Sequence, residues 1–155
     1  MLVLLFLLTV ASAPAVASSA KFAPLTSSAA SRTRLGGNET VEIINATETI
    51  YGVIELWDNA TLKIVNSTIE YVANRPEIYV HDNATLIIVN STFDMHGTSS
   101  ITIWLDTTAR AFLLDFRINA NVSSIEAYVC GYSTLYLLQS DANLDECKYA
   151  PHIYY

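Results

Sequence analysis

The residues of this chain that could carry chemistry fall at fixed intervals. Seven asparagines (Asn38, Asn45, Asn59, Asn66, Asn83, Asn90 and Asn121) each open an Asn-x-Ser/Thr sequence, the acceptor of an N-linked glycan in an exported protein. Six of them form pairs seven residues apart, within segments that nearly repeat: GNETVEIINAT from Gly37, DNATLKIVNST from Asp58 and DNATLIIVNST from Asp82. Glu55, Tyr79, Trp104 and Tyr128 follow one another at intervals of 24, 25 and 24 residues. If Tyr79, Trp104 and Tyr128 face solvent, their flat rings can stack on sugar faces. Cys130 and Cys147 are the two cysteines, enough for one disulfide. His81, His96 and His152 show no metal-ligand spacing, and no Ser-His-Asp set can be drawn, so neither a metal nor a cofactor is expected.

The elements that must hold these residues follow from the repeat. Anchored on one position, it reads Val41, Leu62, Leu86, Ala111 and Leu135, at spacings of 21, 24, 25 and 24. Self-similarity at that period marks a solenoid. Within each unit the pattern is extended: in TLKIVN, VIELW and TIEY apolar residues alternate with polar ones. Each unit therefore holds three short strands, separated by Asx-rich or Gly-containing turns. The fold class expected is all-β, a parallel β-helix of about four to five coils. From Gly37 to Asp141 the chain resembles the right-handed β-helix proteins of the pectin-lyase-like superfamily, a resemblance of period and patterning.

That resemblance implies a chemistry to look for. Enzymes of this kind that cleave acidic polysaccharides gather aspartates around calcium, with a basic residue removing a proton. The matching candidates are Asp58 and Asp82, with Arg75 and Arg110 as bases. The aspartate column continues as Thr107 and Gly131, so the pair is not extended and Asp reads first as a turn residue. Catalysis is not the reading adopted, and no catalytic residue is assigned.

Composition and the chain ends bound the rest. A formal charge of −7, with only 8 Lys and Arg, sets nucleic acid aside as a partner. MLVLLFLLTV has the length of a signal-peptide apolar region, and ASAPAVASSA supplies small residues for cleavage. Residues 1–17 are expected to be a signal peptide and 18–35 a flexible linker. The β-helix is expected over 36–141 and a C-terminal capping tail over 142–155. No segment is long and apolar enough to span a membrane, so the mature chain is expected to be secreted, extracellular or at a cell surface.

Stacking turns sequence columns into ladders. Inward columns are expected at Val41, Leu62, Leu86, Ala111, Leu135; at Ile43, Ile64, Ile88, Leu113, Leu137; and at Ile69, Phe93, Ile118, Ala142. The column Asn45, Asn66, Asn90, Asp115, Gln139 lies in phase with Leu62 and Ile64 and is expected to point inward as a buried amide ladder. Asn38, Asn59, Asn83, Thr108 and Tyr132 are expected to face outward. Asn38, Asn59, Asn83 and Asn121 are accordingly the expected glycosylation sites. A disulfide between Cys130 and Cys147 would tie the tail over the last coil; two free thiols or an intermolecular bond compete with it. The N-terminal end has no such staple, and self-assembly is expected to use that edge.

The outward aliphatic column Ile44, Val65, Val89, Leu114, Leu138 calls for a covering segment or a partner, either a second copy or a surface protein. The function expected is structural: a secreted, N-glycosylated contact protein of a surface or extracellular assembly. A carbohydrate-binding module is the alternative, with Tyr79, Trp104 and Tyr128 as its platform, and a polysaccharide lyase or hydrolase comes third.

Overall fold

A computed structural model describes residues 32–95, 100–119, 124–138, 143–146 and 152–154. The described residues form strands and no helix. In chain order these are β1 (Arg32–Leu35), β2 (Thr40–Ile44), β3 (Thr47–Tyr51), β4 (Val53–Leu56), β5 (Thr61–Val65), β6 (Thr68–Val72) and β7 (Glu77–Val80). They continue as β8 (Thr85–Met95), β9 (Ser100–Leu105), β10 (Arg110–Asn119), β11 (Ser124–Val129), β12 (Thr134–Leu138), β13 (Asn143–Glu146) and β14 (His152–Tyr154). Every pairing is parallel.

One sheet runs β1-β4-β7-β9-β11-β13, and the other runs β14-β12-β10-β8-β5-β2, with β3 and β6 beside it. The chain passes from one sheet to the other in every unit. The result is a β-solenoid of about four turns with ~24-residue spacing. The units from β1 to β10 each have three extended segments, and in β8 and β10 the second and third run on as one strand.

Register confirms the inward columns. Val41 pairs with Leu62, Leu62 with Leu86, Leu86 with Ala111 and Ala111 with Leu135. Leu62, Leu86, Ala111 and Leu135 are wholly buried, as are Ile64, Ile88 and Leu113 one step along. Ile69 and Phe93 are buried in the third column, while Val41 and Ile118 are half-buried against the core. Ala142 lies outside the described residues. Burying each Leu or Ile is worth roughly 1.5–3 kcal/mol, and only stacked coils can achieve it.

The corners explain the Asn and Asp positions. At the first corner Gly37, Asp58, Asp82, Thr107 and Gly131 have φ of 64, 59, 55, 59 and 66°. At the second, Asn45, Asn66, Asn90 and Asp115 have φ of 53, 49, 45 and 50°. All lie in the left-handed region, which Gly, Asn and Asp enter at the lowest cost.

This geometry corrects the amide ladder. A left-handed residue breaks the strand alternation, so after buried Ile64 both Val65 and Asn66 turn outward and Ser67 turns in. Asn45, Asn66 and Asn90 are exposed. They do form a ladder: Asn66 Nδ2 donates to Asn45 Oδ1 at 3.2 Å, and Asn90 Nδ2 to Asn66 Oδ1 at 3.0 Å. The buried polar ladder belongs to serine instead. Ser91 Oγ accepts from the Ser67 N–H at 3.1 Å and donates to the Val89 carbonyl at 2.8 Å. Ser67 Oγ accepts from the Ala46 N–H at 3.2 Å and donates to the Val65 carbonyl at 2.8 Å. Gln139 lies outside the described residues.

Two boundaries also move. The linker expected over 18–35 gives way at Arg32, because Arg32–Leu35 forms β1 in full register with β4. Its alternation of Arg, Thr, Arg and Leu was masked by the Ser- and Ala-rich stretch before it. At the other end β13 pairs with β11 and β14 with β12, so the backbone of the tail continues both sheets past Asp141. The signal-peptide residues 1–17 lie outside the described residues.

Candidate functional site

The chemistry-bearing residues distribute over corners and two outward faces. At the first corner the aspartates serve the backbone. Asp58 Oδ2 accepts from the Gly37 N–H at 2.9 Å, and Asp82 Oδ2 from the Asp58 N–H at 3.4 Å, each reaching the preceding coil. Arg75 and Arg110 are exposed and bond to neither aspartate. Among the described residues no group of three or more His, Cys, Asp or Glu gathers as a metal site.

The Asn-x-Thr sequences follow from the same corners. In Asn59-Ala60-Thr61 and Asn83-Ala84-Thr85 the asparagine is exposed, the alanine fills the inside of the corner, and the threonine starts a strand. Asn66-Ser67-Thr68 repeats this with serine inside, and Asn90-Ser91-Thr92 does so within the continuous strand β8. The threonines stack in register, Thr61 with Thr85 and Thr68 with Thr92. Asn38, Asn59 and Asn83 all face solvent, and Asn59 Nδ2 donates to Asn38 Oδ1 at 3.0 Å. Asn121 lies outside the described residues.

On the outward face of the first sheet, register places Glu55, Tyr79, Trp104 and Tyr128 in one column. Parallel in-register stacking turns their rings toward each other. Trp104 lies 4.0 Å from Tyr128 at an interplanar angle of 9°, and Tyr79 6.0 Å from Trp104 at 7°. Trp104 and Tyr128 therefore cover each other's faces, while Tyr79 is parallel to Trp104 but offset from it. The Trp104 indole nitrogen is enclosed and has no hydrogen-bond partner among the described residues. The Tyr79 hydroxyl bonds Glu77, and desolvation followed by that carboxylate's charge raises its pKa.

A second column beside it, Trp57, His81 and Asp106, escaped the sequence reading. Its signal is the same 24- and 25-residue spacing, at a turn whose residues share no common type. The His81 ring stacks on Trp57 at 3.9 Å, and its Nδ1 meets Asp106 Oδ2 at 2.7 Å. The Arg34 guanidinium lies 4.8 Å from the Trp57 ring centre. Asp106 thus fixes the orientation of the His81 ring against Trp57. His96 lies outside the described residues, and His152 lies in β14.

On the second sheet the outward column Ile44, Val65, Val89, Leu114 and Leu138 is continuous in register. Its ends are the most open, with Ile44 at 43% and Leu138 at 56% exposure. The adjacent column adds Ile87, Phe112 and Tyr136, the last two stacked at 4.7 Å. Beyond them lies the threonine row, interrupted by Arg110. Cys130 sits at the final first-type corner next to Gly131, and Cys147 lies outside the described residues.

Comparison with known protein families, with curated proteins and with solved structures gives no match to this chain.

Proposed function

We propose that this chain is a secreted, N-glycosylated scaffold of a cell-surface or extracellular assembly, acting by shape and contact, as a small non-catalytic relative of the pectin-lyase-like β-helices. The observation that carries the reading is the aliphatic column from Ile44 to Leu138, outward and unbroken over five stacked strands. A stripe of this kind on a rigid sheet is a contact surface.

Its occupant is a second copy of the chain. The protein is acidic, yet on this face Glu42 is outnumbered by Lys63 and Arg110, and Lys63 Nζ bonds Glu42 at 3.0 Å. Two copies can meet here without the repulsion that other faces would meet. Five residues across and five strands deep give a flat area on the order of 300 Å². A standard interface takes about 800 Å² from each partner, so the pairing is weak and concentration-dependent. Glycans at Asn38, Asn59 and Asn83 would stand at the first corner, outside this patch.

Sedimentation velocity of the mature chain tests the reading. Wild type should shift toward dimer as concentration rises, and Val89→Glu/Leu114→Glu should stay monomeric with an unchanged fold. A monomer at all concentrations that binds polysaccharide would favour the carbohydrate reading, to which the close stacking of Trp104 on Tyr128 lends little support.

A further inference from the structure

The first coil departs from the coils beneath it at two inward positions. One lies inside the first corner. Ala60, Ala84 and Ala109 each donate to the carbonyl three residues earlier, at 3.0 Å in every case, and Glu39 makes the same bond to Gly36 at 3.3 Å. Ser133 makes the same bond to Cys130 at 3.3 Å, so the column reads Glu39, Ala60, Ala84, Ala109, Ser133. The three alanines and Ser133 are wholly buried, whereas Glu39 is exposed. The second position is Glu48, which pairs in register with Ile69, and through it with Phe93 and Ile118. Glu48 is half-buried and makes no hydrogen bond or ion pair among the described residues.

The rest of this end is built to be stacked upon. β2 pairs only with β5, and β3 only with β6, which leaves the far edges of both strands open among the described residues. Leu35, Val41, Ile43 and Ile50 present apolar side chains along the inside of the same coil. Such an edge invites another coil, and an inward-pointing charge is one of the devices that keeps it closed. A coil added above Glu48 would seal its carboxylate between apolar layers with no partner, at heavy desolvation cost. A coil added above Glu39 would force its side chain into a corner that elsewhere holds only Ala or Ser.

We propose that Glu39 and Glu48 close the N-terminal edge of the solenoid to end-to-end addition of a second copy, so that association is confined to the sides of the stack. This reverses the expectation that the unstapled end would serve self-assembly.

The test replaces both residues by those one coil below, Glu39→Ala/Glu48→Ile, in the mature chain carrying Val89→Glu/Leu114→Glu to remove lateral pairing. The matched control, Glu42→Gln/Glu70→Gln, removes the same charge from outward positions of neighbouring coils. Light scattering and electron microscopy should show the inward variant forming rods one solenoid wide. Its end-to-end association should be tighter than the parent's by on the order of a hundredfold or more. Parent and control should not form rods, and the inward variant should melt no lower than the parent. A folded inward variant that stays unstacked, a control that stacks equally, a parent already in rods, or a lowered melting temperature of the inward variant would each overturn the proposal. Because lateral pairing is disabled throughout, these outcomes are independent of whether the aliphatic face pairs.

Discussion

Asn66 shows how one backbone angle redirects a side chain. Its φ of 49° places it at a corner where a residue with a β-carbon costs roughly 1–2 kcal/mol. Asn66→Leu is expected to lose about that much, whereas Asn66→Gly, which is free to adopt the angle, should lose a few tenths. Urea denaturation of the two variants separates this account from a buried amide ladder, which would make Gly as damaging as Leu. Tyr71 is a second residue whose role is set by its surroundings. It is 1% exposed, donates to the Glu77 carbonyl at 3.0 Å and packs edge-on against Phe93. Burial, partly opposed by the backbone bond, holds its hydroxyl well above the ordinary tyrosine range. A raised folded pKa gives stability that is whole below about pH 10 and is lost as pH rises beyond it. Tyr71→Phe should cost about 1 kcal/mol at pH 8 and show a shallower loss between pH 9 and 11, measured by denaturation at each pH.

At the scale of strands and corners, the first-corner column holds an internal comparison. Thr107 is β-branched at φ 59°, where its equivalents are Gly37, Asp58, Asp82 and Gly131. Thr107→Asn is expected to stabilise by about 1 kcal/mol through relief of that strain. Gly131 has φ 66°, and a β-carbon there would lie 2.8 Å from the Thr107 carbonyl oxygen, so Gly131→Ala should cost at least about 2 kcal/mol. Melting temperatures moving in opposite directions would bear this out; a neutral Gly131→Ala would contradict it. The strands themselves were legible in the sequence, because alternation and period depend on side-chain type alone. Register reproduces the columns through Leu62, Leu86 and Ala111. The corners were less so. Asn at the end of TLKIVN looks inward by parity, and only the left-handed turn after Val65 shifts the phase and hands the buried position to Ser67. The aromatic column was placed correctly, but the tilt of rings into a face-to-face stack is a consequence of neighbours in adjacent coils. A single strand's pattern does not encode it.

For the whole molecule, the two outward faces and the two ends have different characters. One face carries a stacked aromatic column, and the other carries an open aliphatic stripe. The N-terminal end carries two glutamates where the described coils below have Ala or Ser at one position and Ile or Phe at the other. On the function and the edge closure proposed above, the solenoid pairs through one side and does not lengthen. The contacting face can be read directly by methyl NMR of the mature protein over a dilution series, with Ile, Val and Leu methyls labelled. Concentration-dependent shifts should be confined to Ile44, Val65, Ile87, Val89, Leu114 and Leu138. Shifts in the indole and phenol signals of Tyr79, Trp104 and Tyr128 on adding polysaccharide, with the aliphatic methyls unmoved at every concentration, would contradict a scaffold that works through its aliphatic face.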